Sequence, residues 1–387
     1  MNNKRELSKN VPKKIVVLGG YGAMGRIAVR DLAQYAKKMD IIIAGRDEKK
    51  ANAFIRELKS KNVSFVSCDV NDIRQTAHAL KGADVCINAV QYELNEKIMR
   101  ACLLALCHYL DLGGLFHMTK KQLKWHGKFK RAGLLAVLGM GAAPGVTNIL
   151  AKIGMDKLDS VSEVYLRVGD MDFTEVKNPP VLWFTYSPKT ILEEHSVPPV
   201  IFTKGQFKEI PARSLKEKED FGGKVGKQTT MATLHSEAAT LSKYKPGIRE
   251  CNFQIAFPDD FEEKVSLLVE AGFAKPENID FTAKILSQIP KPNVKPNDLE
   301  LLRARVHGKK DGKSKTIIVD ALFKSIPRWS AGGGDVDTGS PPSVVAQMLA
   351  RGQISSRGVL PPELCVPVKP FLNELKRRGM KLKVSFK

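Results

Sequence analysis

Val16-Val-Leu-Gly-Gly-Tyr-Gly-Ala-Met-Gly25 sets a Gly-x-Gly-x-x-Gly pattern, Gly20, Gly22 and Gly25, between an apolar strand and a helix. Ile15 to Leu18 read as a buried strand, and Met24 to Lys37 carry Ile27, Ala28, Leu32, Tyr35 and Ala36 at helical spacing. In a dinucleotide-binding unit each glycine has its own task. Gly20 permits the tight turn, Gly22 lets the backbone approach a pyrophosphate, and Gly25 lets helix and strand pack closely. Tyr21, Ala23 and Met24 complete the loop, and the helix N-terminus adds free N–H groups and a positive dipole end. The plainer alternative is a tight strand-to-helix turn with no ligand.

The end of the second strand bears on which dinucleotide is held. A NAD-binding chain places an acidic residue about 20 residues past the last glycine, where it accepts hydrogen bonds from the ribose 2′-hydroxyl. Here Asp40-Ile-Ile-Ile-Ala-Gly-Arg-Asp47 ends that strand. Gly45 has no carboxylate to repel a 2′-phosphate, and Arg46 offers a guanidinium suited to gripping one. This favours NADP, with NAD as the alternative if Asp47 and not Arg46 faces the ribose. The structural role open to Asp47 is the N-cap of a helix over Glu48 to Lys59.

From Ile15 to about Val137 strands alternate with helices: Lys14–Leu18, Ile41–Ala44, Ser64–Ser67, Val85–Ala89, Tyr109–Asp111 and Leu134–Leu138 are the strand candidates. Such alternation implies a Rossmann-type, doubly wound parallel sheet of the α/β class. Ligands bind at the carboxyl edge of such a sheet. Asp69 and Val70 follow the third strand there, and Asn88, Ala89 and Val90 the fourth, so all five are candidate cofactor contacts. For Asn88 a turn-forming role competes.

After about Asn148 the rhythm changes. Val161–Val168, Val181–Tyr186, Val200–Thr203, Asn252–Phe257, Leu301–His307 and Thr316–Phe323 read as strands with few helices between them. Asp311-Gly312 marks a hairpin between the last two, and the Pro-rich link 289–296 is a connector. The expected organisation is a dinucleotide-binding domain over 1–148, an inserted, mainly antiparallel α+β substrate and dimerisation domain over 149–334, and a segment, 335–387, returning to the first domain. The Gly-rich stretch Ala331–Gly339, at the junction, precedes a helix beginning near Pro341.

Composition narrows the classes. The chain has 387 residues and is 43% hydrophobic, which suits a soluble globular protein of two domains. Met1 to Asn10 is polar, without the apolar core of a secretory signal. Gly133 to Ala151 is long and weakly polar, but its glycines, Pro144 and Asn148 argue for a strand, a turn and a helix start, not a membrane span. The six cysteines form no zinc spacing, so reduced thiols in the cytoplasm are expected. The formal charge is +21, with five basic residues in 1–14 and six in 376–387. These runs read as solvated tails or helix faces; without interleaved aromatics they imply no nucleic-acid partner. Surplus positive potential also concentrates an anionic cofactor or substrate.

Four further stretches accompany the glycine loop: Asn88-Ala-Val-Gln-Tyr-Glu-Leu-Asn95, His108-Tyr-Leu-Asp-Leu-Gly-Gly114, Gly141-Ala-Ala-Pro-Gly-Val-Thr-Asn148, and Val344–Gly352 continuing to Gly358–Glu363. With them the chain resembles the saccharopine dehydrogenase family, in particular its short, lysine 6-dehydrogenase-like members. The resemblance implies hydride transfer between a nicotinamide and a carbon bearing nitrogen, a homodimer, and an amino-acid-derived substrate: lysine, a saccharopine-like adduct or a carboxylated polyamine. Two departures stand out. Such NAD users resemble Ala-Asp-x-Asp where this chain has Ala44-Gly-Arg-Asp47, and a Thr-Ser-Gly-Gly-Thr segment is replaced by Leu234-His-Ser-Glu-Ala-Ala-Thr-Leu241.

That chemistry needs a neutral amine and a group that manages protons. Asp111, at the end of the fifth strand, is a candidate to hold an ammonium or orient a water; capping the Gly113-Gly114 turn is its structural alternative. Tyr92 lies in the loop after strand four, and His235 opens a helix in the substrate domain with a pKa near working pH. Gln91, Asn95, Gly113 and Arg249 are candidate substrate contacts. A metal site from Cys102, Cys107, His108 and Asp111 is set aside, because the thiols fall on an apolar helix whose pattern is that of core packing. A non-catalytic NADP-binding regulatory or assembly protein of the same fold is the competing reading, and a basic surface-binding module the third.

Overall fold

The computed structural model describes residues 13–290 and 292–387. The polar N-terminal stretch and most of the basic run read from it lie outside the described residues. The first sheet forms from β1 (Lys13–Leu18), α1 (Ala23–Tyr35), β2 (Met39–Gly45), α2 (Glu48–Leu58), β3 (Val63–Ser67), α3 (Ile73–Ala79) and β4 (Val85–Asn88). It continues through α4 (Asn95–Ala105), β5 (His108–Asp111), α5 (Leu115–Leu123), α6 (His126–Arg131) and β6 (Leu135–Val137). Next come α7 (Val146–Met155), β7 (Ser160–Asp172), α8 (Pro188–Ser196), β8 (Val200–Thr203), β9 (Gln206–Glu209), β10 (Lys216–Asp220) and β11 (Lys227–Ala232). Then follow α9 (Glu237–Leu241), β12 (Glu250–Ala256), α10 (Asp259–Glu270), α11 (Ile279–Leu286), β13 (Asp298–Lys310) and β14 (Lys313–Lys324). The chain ends with α12 (Gly333–Ala350), β15 (Gly358–Leu360), α13 (Pro362–Cys365), α14 (Val368–Arg377) and β16 (Lys381–Phe386).

The first sheet runs β15-β6-β5-β4-β1-β2-β3, all parallel. Ile15, Val16, Val17 and Leu18 are wholly buried, as a strand covered on both faces requires. Strand order reverses between β1 and β4, so the loops after these two strands flank the point where such sheets bind ligands. The second sheet runs β10-β11-β12-β7-β13-β14-β16, with β8 and β9 attached at β12. Only the β12–β7 pair on that path is parallel. Asp311 and Gly312, with φ of 51° and 74°, turn the β13–β14 hairpin as the Asp-Gly pair predicts.

The chain divides into two compact units, Met1–Gly114 with Lys120–Gly141 and Gly339–Pro367, and Leu115–Thr119 with Ala142–Thr338 and Val368–Lys387. This corrects the expectation that everything after 335 returns to the nucleotide unit. β16 pairs antiparallel with β14, Val384 opposite Val319, and so closes the second sheet. Its lysines, read as a solvated tail, sit on an edge strand, where they discourage pairing with other chains. The unit boundary also precedes α7, which belongs to the second unit.

Three local expectations fail for physical reasons. Val181–Tyr186 alternates like a strand but forms none; Leu182, Phe184 and Tyr186 instead pack against Ile191, Leu192 and Val265. β10, Lys216-Glu-Lys-Glu-Asp220, is a fully charged edge strand with no hydrophobic signal to read. α12 starts inside the Gly-rich stretch and continues through Pro341 and Pro342. Among the described residues no helix is long and apolar enough to cross a membrane.

Candidate functional site

The glycine loop divides its tasks differently from the expectation. Gly19, with φ of 72°, makes the left-handed turn, and its N–H reaches Ala44 O at 2.9 Å. Gly20 is instead a packing glycine: a β-carbon there would stand 3.1 Å from both Val17 O and Val29 Cγ2. On Gly25 it would stand 2.2 Å from Gly19 O, so strand and helix touch backbone to backbone. On Gly22 it would meet nothing nearer than Gly19 O at 3.1 Å, which leaves that side open. Gly22 is the N-cap of α1, with no side-chain cap and no acid in the first turn. The first amides of the helix therefore keep donors for an anion. Ala89 O and Val90 Cγ1 crowd Gly19 from the loop after β4.

At the adenosine end of such a site, Tyr21 lies against Gly45. A β-carbon on Gly45 would come within 2.5 Å of the Tyr21 hydroxyl oxygen, and that oxygen accepts the Asp47 N–H at 3.0 Å. Arg46 is exposed. The Asp47 carboxylate accepts the Lys50 N–H at 2.9 Å and caps α2, which holds its pKa below the ordinary value. Asp69 is held low by the Asn71 backbone and side-chain amides and by the Arg46 charge nearby; Val70 beside it is half-buried. An open phosphate cradle, no acidic first turn and a guanidinium at the ribose end fit a dinucleotide.

Asp111 is buried at the end of β5 and five donors converge on it. Its Oδ1 accepts the N–H groups of Gly113 at 3.1 Å and Gly139 at 2.6 Å. Its Oδ2 accepts Tyr109 Oη at 2.9 Å, Gln122 Nε2 at 2.7 Å and Asn95 Nδ2 at 3.3 Å. Burial raises the carboxyl against the pull of these donors. With these five donors its oxygens are fully engaged, and the Gly113 N–H among them is the turn-capping contact that is the structural alternative to holding an ammonium or a water.

Asn88 and Asn95 belong to the same network. Asn88 Nδ2 donates to Asn95 Oδ1 at 2.8 Å and to Tyr109 Oη at 3.1 Å, and its Oδ1 accepts the Val90 N–H at 3.2 Å. Both asparagine side chains are buried inside this network. Gly113, at φ of 136°, gives its carbonyl to Asn95. Gln91 is exposed and Tyr92 half-buried in the one-turn 3-10 helix Tyr92–Leu94.

In the second unit His235 is the centre of an acidic group that sequence spacing did not reveal. Its Nε2 lies 3.3 Å from Glu194 Oε1, its Nδ1 3.5 Å from Glu237 Oε2, and its ring stacks on Phe253 at 3.9 Å. Ser187 caps α8, with Pro188 in its first turn, and so aims Glu194 inward. Tyr186 hydrogen-bonds the other oxygen of Glu194, and Thr147 donates to Glu237 at 3.4 Å. Burial alone would lower the His235 pKa, but Glu237 and Glu194 together hold it up at about 9, so the ring is cationic at neutral pH. Arg249 does not join this group; it is exposed before β12, its backbone bonded to Ser162 and Gly205. Among the described residues no set of three or more His, Cys, Asp or Glu is placed to hold a metal ion.

Comparison with known proteins places this geometry. Residues 15–137 match the saccharopine dehydrogenase NADP binding domain, and residues 141–380 the saccharopine dehydrogenase C-terminal domain. The carboxynorspermidine synthase of Vibrio cholerae is 25% identical, across 93% of this chain and 94% of that protein. The carboxyaminopropylagmatine dehydrogenase of Synechocystis sp. is 22% identical, across 94% and 96%. The apo saccharopine dehydrogenase (L-Glu forming) of Saccharomyces cerevisiae superposes with a TM-score of 0.74 at 15% identity, across 97% of this chain and all of that one. The chain belongs to the saccharopine dehydrogenase family, NAD(P)-dependent oxidoreductases that act on carbon–nitrogen bonds of amino-acid derivatives.

Proposed function

We propose that this chain interconverts the secondary amine of a carboxylated di- or polyamine with its imine, using NADP(H). The observation that carries the reading is the cationic His235 between Glu194 and Glu237, a proton store in the unit expected to hold substrate. The bound dinucleotide supplies hydride chemistry at the carbon bearing nitrogen. The residues proposed to hold it are the 20–25 loop, Gly45, Arg46, Asp69 and Val70, with the Ala89 and Val90 backbone; Arg46 takes the 2′-phosphate.

His235 is the proposed donor of a proton, from Nε2 or Nδ1, to the imine nitrogen as hydride reaches the adjacent carbon, and it takes the proton back when the amine is oxidised, with Glu194 and Glu237 balancing its charge. Tyr92 is the corresponding candidate of the first unit, and Gln91, the Gly113 backbone and Arg249 are proposed substrate contacts. The relatives named for carboxylated polyamines support that class over lysine. All six cysteines are buried free thiols, which suits the cytoplasm. The exposed Leu267, Phe273, Phe281 and Ile285 support a homodimer.

Fluorescence titration with NADPH and NADH, followed by loss of reduced-cofactor absorbance in mixtures of an amino-acid aldehyde and a diamine, tests this reading. Turnover requiring both aldehyde and amine is expected. Tight NADPH binding without turnover across the panel selects the regulatory protein instead, and no binding of either dinucleotide overturns the whole account.

A further inference from the structure

β7 and β13 set acids face to face: Glu300 pairs with Asp170, and Asp298 with Asp172. Directly opposed residues of an antiparallel pair share a face, and like charges there destabilise the sheet. The start of α12 closes on this face. The Gly333 N–H donates to Asp298 at 3.0 Å, and a β-carbon on Gly334 would stand 2.2 Å from Glu300 Oε2. One turn further on, Asp337 is wholly buried, its carboxyl meets that of Glu300, and its Oδ2 receives no hydrogen bond. Glu300, Asp170 and Tyr186 each keep part of their surface exposed, so the buried Asp337 lies at the closed end of an open group.

The strongest electrostatic neighbours of these carboxyls are other carboxyls. Burial and then Asp170 push Glu300 up to about 8; burial and then Glu300 push Asp337 well above its ordinary value. Burial and then Asp298 push Asp170 up to about 6. Tyr186, bonded to Glu194, also feels Glu300 and Asp170, which joins the cluster to the His235 group of the same unit. The chain carries a net charge of +21, yet among the described residues no cation ranks with the main influences on Glu300, Asp337 or Asp170.

We propose that Asp170, Glu300 and Asp337 form a subsite for the distal ammonium or guanidinium group of a diamine or polyamine. This rests on the amine-substrate reading above and names the part of the substrate that the second unit recognises. Without ligand, Glu300 and Asp337 share a proton, as crowded carboxyls do. An arriving cation replaces that proton and is held by charge-assisted hydrogen bonds. The other groups facing the site are Asp172, Asp298, Asp335, Tyr186 and Glu194, so the exchange belongs to the cluster as a whole.

The test is calorimetric titration of diaminopropane and of agmatine into the full chain, without dinucleotide or aldehyde, in two buffers of different ionisation enthalpy. Binding with proton release is expected. Glu300→Gln and Asp337→Asn should each weaken it by roughly tenfold or more, while melting no lower than the wild type because a like-charge repulsion has gone. Asp170→Asn, on the more open side, gives the same reading if either of those fails to fold. Absence of diamine binding, binding without proton release, or variants that bind as the wild type does overturns the subsite. Diamine binding without turnover keeps the subsite and defeats the proposed reaction. Turnover with an amine KM unchanged by these substitutions defeats the subsite alone.

Discussion

Gly45→Asp is the substitution that would convert the ribose end to the NAD-type pattern, and the structure gives a reason for it to fail alone. The new β-carbon would stand 2.5 Å from Tyr21 Oη, 2.7 Å from Cε1 and 2.8 Å from Cζ. All are too close, so the ring must swing away and release the Asp47 N–H. Overpacking costs about 1–3 kcal/mol and the lost hydrogen bond about 1 kcal/mol. A total of about 2–4 kcal/mol lowers the melting temperature by roughly 5–10 °C. The expected single variant is destabilised and has lost NADPH without gaining NADH, since its carboxylate has no settled position. Adding Tyr21→Ala makes room, and the double variant should regain stability and bind NADH over NADPH. Thermal melts and fluorescence titration with both cofactors read each step. If Gly45→Asp alone melts like the wild type or takes up NADH, Tyr21 does not govern the choice.

Arg46→Ala should weaken NADPH by about 1.5–3 kcal/mol, the value of a hydrogen bond to a charged group, and leave NADH unchanged; equal losses in titration would remove Arg46 from the 2′-phosphate. Asp111→Asn places an amide among donors and should cost about 3–5 kcal/mol in denaturant unfolding, whereas a stability near wild type would show the network to be dispensable. An imidazole raised from 6.5 to about 9 stabilises fully below 6.5 and loses that contribution as pH rises through about 9. Glu300, raised from 4.5 to about 8, binds its proton more tightly when folded, so its contribution is lost as pH rises from about 4.5 through about 8. The melting temperature should therefore decline from neutral pH upward, and the slope between about 8 and 9 should be shallower in His235→Gln, where only the carboxyl contribution is left. A slope unchanged from the wild type would show that His235 is not held as a cation.

The first sheet was legible because each strand is a short apolar run and each turn carries its own chemistry, so position along the chain gave position in the sheet. The same residues misled at the turn itself, where Gly19 and Gly20 are adjacent and only backbone geometry tells which one takes the left-handed conformation. Asp111, at a strand end, and Asn95, at the start of α4, read as ligand contacts because ligands bind at that edge of a parallel sheet. Their partners Tyr109, Gln122 and Gly139 come from separate elements, and spacing carries no record of that convergence. His235 was legible as a residue but not as a cation, since Glu194 comes from a different helix. The acidic cluster left no trace at all: Asp170 and Glu300 meet only through the register of β7 and β13, and each alone is an ordinary charged strand residue. Val181–Tyr186 shows the reverse failure, where alternation serves packing of an irregular segment.

The route of the last fifty residues has a consequence for dissecting the protein. Gly339–Pro367 adds β15 to the first sheet, and only afterwards does the chain supply β16 to the second. The chain thus passes between the two units several times, and no single cut frees either one intact. Severing the chain before Val368 would strip β14 of β16 and leave Ile317–Leu322 as an open edge, an invitation to cross-chain pairing. Excision of either half by itself therefore demands circular permutation or a grafted closing strand, and loss of solubility in a simple truncation would reflect that stitching and not a weak core.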